Sequence, residues 1–264
     1  MFNKRHIVRT IAATVSILAL SFTAACGSGQ STASNSTDSD DITQQTYKPG
    51  KLTIATGQPA YEPWVMNDKP ESGEGYEAAV AYAVADKLGF KKSDVVWTRT
   101  AFDTAIAPGA KDWDFNIQQF GITDERKKAV DFSSSYYNDS QSVVVKKDSK
   151  FANATKVSDL KDATVGVMVG TLAYDYAKAN IKDDIQTFND DAALAQALDA
   201  GQIDALVTST VECVYMVQSE QVKDAKVLGR LPDSEDKSGM GIVLPKDSKL
   251  TAAVTKAVDD LNAD

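Results

Sequence analysis

Residues 112–137 constrain the fold of this 264-residue chain more than any other stretch. The segment 114–120 is too short for an ordinary helix and carries large apolar residues, which predicts a buried strand. Thr123 is then expected to be the N-cap of a helix. The first turn of this helix contains two acids, where the helix dipole favours them. Arg126 lies in the same turn, where a cation does not stabilise the helix. A residue that is wrong for its local structure often has a functional reason, so Arg126 is a candidate site residue.

Strands and helices are expected to alternate along the rest of the chain, which predicts an α/β fold. Short apolar or β-branched runs predict strands at 52–56, 95–98, 164–168, 185–188 and 203–207, and residues 131–137 are expected to be strand-like. Helical spacing and end signals predict helices at 76–88, 101–107, 156–160, 171–179, 191–198 and 250–261.

Residues 1–25 are expected to form an export signal, with a basic start and an apolar run too short to span a membrane. The sequence AACGS at 24–28 resembles a lipobox, in which cleavage exposes Cys26 for lipid attachment. Thr23 stands where that motif prefers Leu, so simple secretion without lipid is the alternative. Residues 26–49 are mostly polar, which predicts a flexible tether.

The net charge of −9 argues against a nucleic acid partner and against polybasic contact with anionic lipid. Removal of residues 1–25, which carry three cations and no acid, would take the charge to −12. The one histidine, His6, lies in that leader, which excludes Ser-His and Cys-His nucleophile pairs and most zinc sites from the remainder. Cys213 lies in an apolar run and is expected to be a buried, inert thiol. We expect no metal and no cofactor.

The motif around Arg126 resembles the signature of a known family. Residues 119–126 read QFGITDER, 130–133 read VDFS and 136–137 read YY. This pattern is similar to the family 3 bacterial solute-binding proteins, the extracytoplasmic amino-acid receptors of ABC importers. The resemblance covers roughly residues 51–262. It implies a type II periplasmic-binding-protein fold, which is α/β, with a ligand cleft between two lobes joined by two hinge crossings.

The resemblance also implies lobe boundaries and a mechanism. Lobe one would comprise residues 51–137 and 240–264, and lobe two residues 139–237, with hinges near 138–140 and 237–239. The lobes would close around a small polar amino acid or related carboxylate, and the closed form would dock on the permease. The implied protein is an exported monomer, held at the outer face of the cell membrane by its lipid anchor. Members of the family usually continue with a further helix, so the sequence is expected to end early.

Ligand contacts follow from the same resemblance. Arg126 would clamp the α-carboxylate of the ligand, and the turn at 170–171 would give a second grip through N–H groups at a helix N-terminus. Tyr61 and Phe102 would form aromatic walls, with core packing as the alternative for each, and Thr171 could be an ordinary N-cap. The full candidate set is Tyr61, Phe102, Gln118, Gln119, Gly121, Arg126, Gly170, Thr171 and Ser209.

Ser209 is the main departure from the family pattern. Many amino-acid-binding members have Asp or Glu there to pair with the α-ammonium, whereas a serine hydroxyl supplies no charge. Gln58 likewise stands where cation-selective members have an acid. With the amides of Gln118 and Gln119, these positions predict a polar and neutral pocket. Glu212 is the alternative source of an acid if its helix is shifted.

Two other functions fit the same fold. A dehydratase acting on prephenate or arogenate would need a general acid in the cleft, and the candidates are Glu62, Glu74 and Glu212. A sensory domain would instead report the ligand to a membrane kinase. The lack of histidine outside the leader and the lack of an acid at Ser209 favour a binding protein over an enzyme.

Overall fold

The computed structural model describes residues 41–264, which belong to one compact unit. The predicted leader 1–25, Cys26 and most of the predicted tether lie outside the described residues. The strands are β1 Leu52–Thr56, β2 Val95–Arg99, β3 Phe115–Asn116, β4 Val130–Tyr137, β5 Gln141–Lys146, β6 Val165–Met168, β7 Gln186–Phe188, β8 Ala205–Ser209, β9 Ala225–Arg230 and β10 Met240–Pro245. The helices are α1 Tyr76–Lys87, α2 Phe102–Ile106, α3 Leu172–Asn180, α4 Asp191–Asp199, α5 Thr210–Gln218 and α6 Thr251–Ala263. Within this range no helix is long and apolar enough to cross a bilayer.

Sheet one has the strand order β2-β1-β3-β10-β4. In it β1 is parallel to β2 and β3, while β10 is antiparallel to β3 and β4. One face packs on α1 and α6 through a core that includes Ile54, Ile242 and Val254. The other face is covered by a smaller apolar cluster that includes Phe102 and Phe120. Both faces of this sheet are therefore covered, as expected when helices connect parallel strands.

Sheet two has the strand order β7-β6-β8-β5-β9. In it β6 is parallel to β7 and β8, while β5 is antiparallel to β8 and β9. On one face α3 packs through Ala177 against Val165. On the other, α4 and α5 pack through Leu194 and Cys213 against Leu206. Cys213 is a free, fully buried thiol, so the prediction of its burial is confirmed.

The chain passes between the two sheets twice. It crosses from β4 to β5 at 138–140 and returns from β9 to β10 at 231–239. The crossings contact each other, since the Asp236 N–H donates to the Asp139 carbonyl oxygen at 2.9 Å. All strands of sheet two are thus inserted between β4 and β10 of sheet one, and the predicted α/β class is confirmed.

A glycine fixes the start of α1. Gly75 has φ 101°, and a Cβ there would lie 2.5 Å from the carbonyl oxygen of Trp64. That oxygen accepts the N–H groups of Glu77 and Ala78 at 3.0 and 3.3 Å. The Trp64 ring is buried and packs edge-to-face on Tyr137 at 5.3 Å, so Trp64 is a core residue. This close approach positions Glu77, which matters for the site described below.

Two predicted elements around the arginine motif are wrong in length. The stretch 114–120 is not one strand, because β3 contains only two residues and Gln119 turns the chain with φ 52°. The helix predicted from Thr123 is only a 3-10 turn, Arg126–Lys128, since β4 begins immediately afterwards. The Thr123 hydroxyl still accepts the Arg126 N–H at 3.1 Å, as an N-cap would. The sequence pattern also gave no indication of β9, which forms an edge of sheet two.

Part of the predicted tether is folded. Within residues 41–49, Thr46 is buried and the Tyr47 N–H donates to Asp114 Oδ1 at 2.6 Å. The other oxygen of Asp114 accepts the Thr53 N–H at 2.7 Å. One buried carboxylate therefore fastens this segment to β1, and the tether prediction is wrong for residues 41–49.

Replacement of Gly75 by alanine is expected to destabilise the protein. Gly75 and Gly109 have φ of 101° and 120°, which costs a residue with a Cβ about 1–3 kcal/mol at either position. Only at Gly75 does the added carbon also meet the backbone, since nothing lies within 4 Å of it at Gly109. In urea unfolding, the Gly75→Ala variant should therefore lose about 1–3 kcal/mol more of its free energy of unfolding than the Gly109→Ala variant. Equal losses in the two variants would mean that the Trp64 contact does not fix the start of α1.

Candidate functional site

A cavity opens between the two sheets. Its wall contains residues that follow the carboxyl ends of β1, β3, β6 and β8, which is where α/β proteins bind their ligands. It holds about 650 Å³ of empty space, including its mouth. Acidic, amide, aromatic and apolar side chains share the wall, so the cavity suits a small solute with both polar and apolar parts.

Eight of the nine predicted contact residues line this cavity. They are Tyr61, Phe102, Gln118, Gln119, Gly121, Arg126, Thr171 and Ser209. The ninth, Gly170, adjoins it, because its carbonyl oxygen accepts a hydrogen bond from Arg126. The fold therefore brings together residues that are up to about 150 positions apart, while their contact with a ligand stays a prediction.

Arg126 is held by backbone carbonyl groups. Its Nη1 donates to the Gly121 carbonyl at 2.7 Å and its Nη2 to the Gly170 carbonyl at 2.8 Å. The guanidinium carbon lies 5.4 Å from the centre of the Phe102 ring, which stacks on Phe120 at 4.6 Å. These contacts orient the planar guanidinium without neutralising its charge.

No ion pair satisfies Arg126 within residues 41–264. The other two arginines of this range each have one, Arg99 with Asp68 and Arg230 with Glu235. Burial lowers the pKa of the Arg126 guanidinium, and the more distant carboxylates Asp175 and Asp236 act in the opposite direction. The cavity wall thus contains a partly buried cation that lacks a bonded anion.

Thr171 has two roles that the sequence left as alternatives. It caps α3, because its Oγ1 accepts the Tyr174 N–H at 3.2 Å and donates to the Met168 carbonyl at 2.7 Å. It also lines the cavity, so the first turn of α3 faces the site. Gly170, with φ 74°, makes the turn from β6 into this helix. The ordinary N-cap and the predicted site position therefore coincide.

Glu77 supports the floor of the cavity and was missed by the sequence analysis. Its Oε1 accepts the Gln119 N–H at 2.7 Å and the Tyr136 hydroxyl, and its Oε2 accepts the Gln119 side-chain amide. Burial raises the pKa of Glu77 to about 7, although these three donors favour its ionised form. The network holds Gln119 in its left-handed conformation against the cavity.

The signal for Glu77 was present in the helix pattern. Glu77, Ala81, Val84 and Ala85 are spaced as one face of a helix, and all four are buried. An acid on an otherwise apolar helix face predicts a buried carboxylate that requires donors. The donors come from distant segments, so the spacing could have identified the residue but not its partners.

The opposite side of the cavity is acidic, which contradicts the predicted neutral pocket. Asp191 at the start of α4 and Glu212 in the first turn of α5 both line the wall and are both buried. Thr208 lies between them, with its Oγ1 2.8 Å from Glu212 Oε2 and 3.4 Å from Asp191 Oδ1. Asp139 and Asp236, on the two crossings, also line the wall. The neutral prediction failed because it considered only the family's usual acid positions.

Burial dominates the ionisation of this acid pair. It raises the pKa of Asp191 to about 6, with the Thr208 hydroxyl opposing and Asp190 adding to the shift. It also raises the pKa of Glu212 well above its ordinary range, and the nearby Asp191 carboxylate adds to this shift. In residues 41–264, no group of three or more His, Cys, Asp or Glu side chains is arranged to hold a metal ion.

Ser209 has a structural role as well as a position in the wall. Its hydroxyl accepts the Glu212 N–H at 3.2 Å and so caps α5. The structure brings Glu212, the alternative source of an acid, into the cavity wall. Asp191 was not among the predicted site residues.

Hydrogen bonds join the two sides of the cavity. The Ala192 N–H at the start of α4 donates to the Tyr61 hydroxyl at 3.3 Å. Nearby, the Tyr215 hydroxyl donates to the Glu62 carboxylate. Together with the bond from Arg126 to Gly170, these contacts connect loops of sheet one to helices and loops of sheet two.

Two sheets with a solute-sized cavity between them, walled by a cation, acids and aromatic rings, define a solute-binding protein. The family model for bacterial extracellular solute-binding proteins, family 3, matches residues 52–264, and the chain belongs to this family. The resemblance inferred from the Arg126 motif is therefore confirmed.

Three known proteins illustrate the similarity. The L-arginine-binding protein of Pseudomonas aeruginosa is 28% identical over 232 residues, which cover 82% of this chain and 83% of that protein. The solved structure of the substrate binding protein of an amino acid ABC transporter is 29% identical, with a TM-score of 0.66, over 81% of this chain and 94% of that one. The solved structure of the ancestral amino acid-binding protein AncCDT-1, a precursor of cyclohexadienyl dehydratase, is 29% identical, with a TM-score of 0.67. The match covers 81% of this chain and 91% of that one.

Thermal stability is expected to increase as the pH falls from 8 to about 5.5. Glu77, Asp191 and Glu212 have pKa values raised in the folded state, so folding takes up protons and their effect on stability becomes unfavourable as the pH rises through about 6–7. A gain of about 1 kcal/mol would raise Tm by roughly 2–4 °C at this size. Calorimetry of the empty protein measures the shift.

Glu77→Gln should reduce this increase, because the amide does not titrate, whereas the exposed control Glu71→Gln should retain it. Carboxyls with lowered pKa, such as Asp94 and Asp199, lose their contribution only at more acidic pH. A Tm that is flat or falls between pH 8 and 5.5 would contradict the ionisation inferred for the three acids.

Proposed function

We propose that this protein is the extracytoplasmic substrate-binding component of an ABC importer and that it captures a small polar amino acid. The observation that carries the proposal is the guanidinium of Arg126, which lies in the cavity wall without an ion pair in residues 41–264. A desolvated cation without a counter-ion is costly. The α-carboxylate of an amino acid would supply that counter-ion with a geometry that matches the planar fork.

Two neighbouring features support a carboxylate at Arg126. The first turn of α3, capped by Thr171, faces the cavity, and N–H groups at a helix N-terminus attract anions. The ring of Phe102 lies 5.4 Å from the guanidinium carbon, and this cation–π contact helps to orient the guanidinium for the carboxylate. The ligand carboxylate would therefore lie between Arg126 and the start of α3.

Capture would occur by closure of two lobes, residues 51–137 with 240–264 and residues 139–237. The hydrogen bonds that cross the cavity would break when the lobes open. A ligand that contacts both walls would favour the closed form, since it interacts with that form more strongly. The closed form is the one that we expect the permease to recognise.

The relatives support both the ligand class and the partner. One is an L-arginine-binding protein, and one solved structure is the substrate binding protein of an amino acid ABC transporter. The proposed partners are therefore a small-molecule ligand and the transmembrane subunits of an ABC permease, with the binding protein acting as a monomer.

A dehydratase on this fold is the second candidate, because one structural neighbour is the precursor of such an enzyme. Glu212 is a buried acid in the cavity with a raised pKa, as a general acid needs, whereas Glu62 is bonded to Tyr215 and Glu74 is exposed. We propose binding without turnover. Incubation with prephenate or arogenate should release no aromatic product by chromatography, and steady formation of one would establish the enzyme instead.

Arg126→Ala should weaken amino-acid binding by at least about thirtyfold. Removing one partner of a desolvated charge pair costs on the order of 2–5 kcal/mol, and 2 kcal/mol corresponds to that ratio. Calorimetric titration with an amino-acid panel measures the loss. Arg230→Ala is the matched control, because Arg230 is largely exposed and pairs with Glu235 on the surface. Unchanged affinity in Arg126→Ala would mean that Arg126 only supports its two loops.

A lipid anchor on Cys26 is the proposed means of retention at the outer face of the membrane. Cys26→Ala should move the protein from the membrane fraction to the medium, since two acyl chains anchor a protein stably. The control variant Cys213→Ala lacks the buried thiol but keeps Cys26, so it should remain in the membrane fraction. If the unaltered protein is already in the medium, the export signal is cleaved without lipid attachment.

A further inference from the structure

We propose that the ligand is an amino acid with a cationic side chain, and that Asp191 and Glu212, on either side of the Thr208 hydroxyl, bind that cation. This inference rests on the proposed function and specifies its substrate class.

The first argument is the geometry of the acid pair. Asp191 is 7% exposed and Glu212 is 6% exposed, and both line the cavity. The hydroxyl of Thr208 has one proton, so it can donate to only one of the two carboxylates at a time. In residues 41–264 it is the only side-chain donor bonded to either acid, which leaves at least one carboxylate oxygen of Glu212 for a ligand.

Acids at the start of a helix are often placed only to stabilise it. That explanation is incomplete for this pair, because exposed acids would serve α4 and α5 equally well. Asp190, next to Asp191, already caps α4 with its side chain, and Ser209 already caps α5. Burial of two adjacent carboxylates is unfavourable unless a cation or a proton compensates their charge.

A second, independent observation is the surplus of acceptors elsewhere in the wall. Gln118 Oε1 and Asp236 Oδ2 are buried oxygens with no hydrogen-bond partner in the described residues, and both residues line the cavity. The remaining oxygen of Asp236 accepts the N–H groups of Ser238 and Gly239. A ligand that satisfies such a wall must supply more donors than acceptors, as a guanidinium or an ammonium does.

The charges of the cavity lead to the same conclusion. Four acids share the wall with Arg126, namely Asp139, Asp191, Glu212 and Asp236. Even when Glu212 is protonated, three carboxylates remain against one guanidinium. A zwitterionic amino acid with a neutral side chain adds no net charge, whereas one with a basic side chain adds one cation. The cationic ligand therefore compensates the negative excess better.

Arg126 and the acid pair belong to different parts of the fold: Arg126 lies between β3 and β4 of sheet one, whereas Asp191 and Glu212 lie in the first turns of α4 and α5, beside sheet two. The inference places the α-carboxylate of the ligand at Arg126 and the cation of its side chain at the acid pair. A second, smaller pocket that reaches Glu62 shares Tyr61, Asp191 and Glu212 with the cavity wall.

Titration of the purified protein with isosteric ligand pairs tests the inference. L-Arginine and L-citrulline differ in a guanidinium against a neutral urea group, and L-lysine and L-2-aminoheptanoic acid differ in an ammonium against a methyl group. At least one cationic ligand should bind about thirtyfold more tightly than its neutral partner, as expected for a desolvated charge pair.

The variants Glu212→Gln and Asp191→Asn should reduce this ratio of affinities to about tenfold or less, while the affinity for neutral ligands changes little. Asp259→Asn removes one charge from the exposed face of α6 and should leave the ratio unchanged. If a variant does not fold, the ratio of affinities for cationic and neutral ligands in the unaltered protein tests the inference by itself.

Equal affinity for the cationic and neutral ligands would overturn the inference, and so would variants that retain the full ratio. If amino-acid binding still depends on Arg126 in those cases, the proposed function as an amino-acid receptor remains supported. If no amino acid binds and Arg126→Ala has no effect, the proposed function itself fails, and the inference fails with it.

Discussion

The partly buried guanidinium of Arg126 is the constraint on which the rest of the cavity depends. A cation removed from water requires polar groups in its place, and here these are the carbonyl oxygens of Gly121 and Gly170, one from each side of the cavity. For the chain to offer the first, Gln119 turns with a positive φ, and for the second, Gly170 does the same. Glu77 secures the turn at Gln119. One charge thus sets the shape of two loops that belong to different sheets.

The sequence was most informative where function conflicts with local structure. Arg126 was detectable because a cation in the first turn of a helix is locally unfavourable, and most of the strands were detectable from their apolar runs. Asp191 gave no such signal, since an acid at the start of a helix is ordinary until the packing of that helix buries it. Residues 41–49 looked like a tether for a similar reason: their main anchor is Asp114, a residue far away in the sequence.

Ser209 shows why comparing single positions can mislead. Its hydroxyl was read as the loss of a charge, yet Glu212 lies three residues later in the helix that Ser209 caps. Three residues are close to one turn of a helix, so the two side chains occupy neighbouring places on its surface. An acid therefore lines the cavity close to the position at which the family resemblance led us to expect one. A pattern of aligned positions does not contain this displacement, whereas the geometry of α5 does.

The insertion of sheet two within sheet one determines the order in which the halves can be completed. Every strand of sheet two lies between residues 141 and 230, whereas β10 belongs between β3 and β4 and follows them all. A chain synthesised from its amino end can therefore finish sheet two while sheet one still has a gap beside β3. That gap exposes unpaired strand edges, which invite association with other chains. Sheet one therefore begins first and is completed last. It is open to such association until residues 240–245 have been synthesised and have paired with β3 and β4.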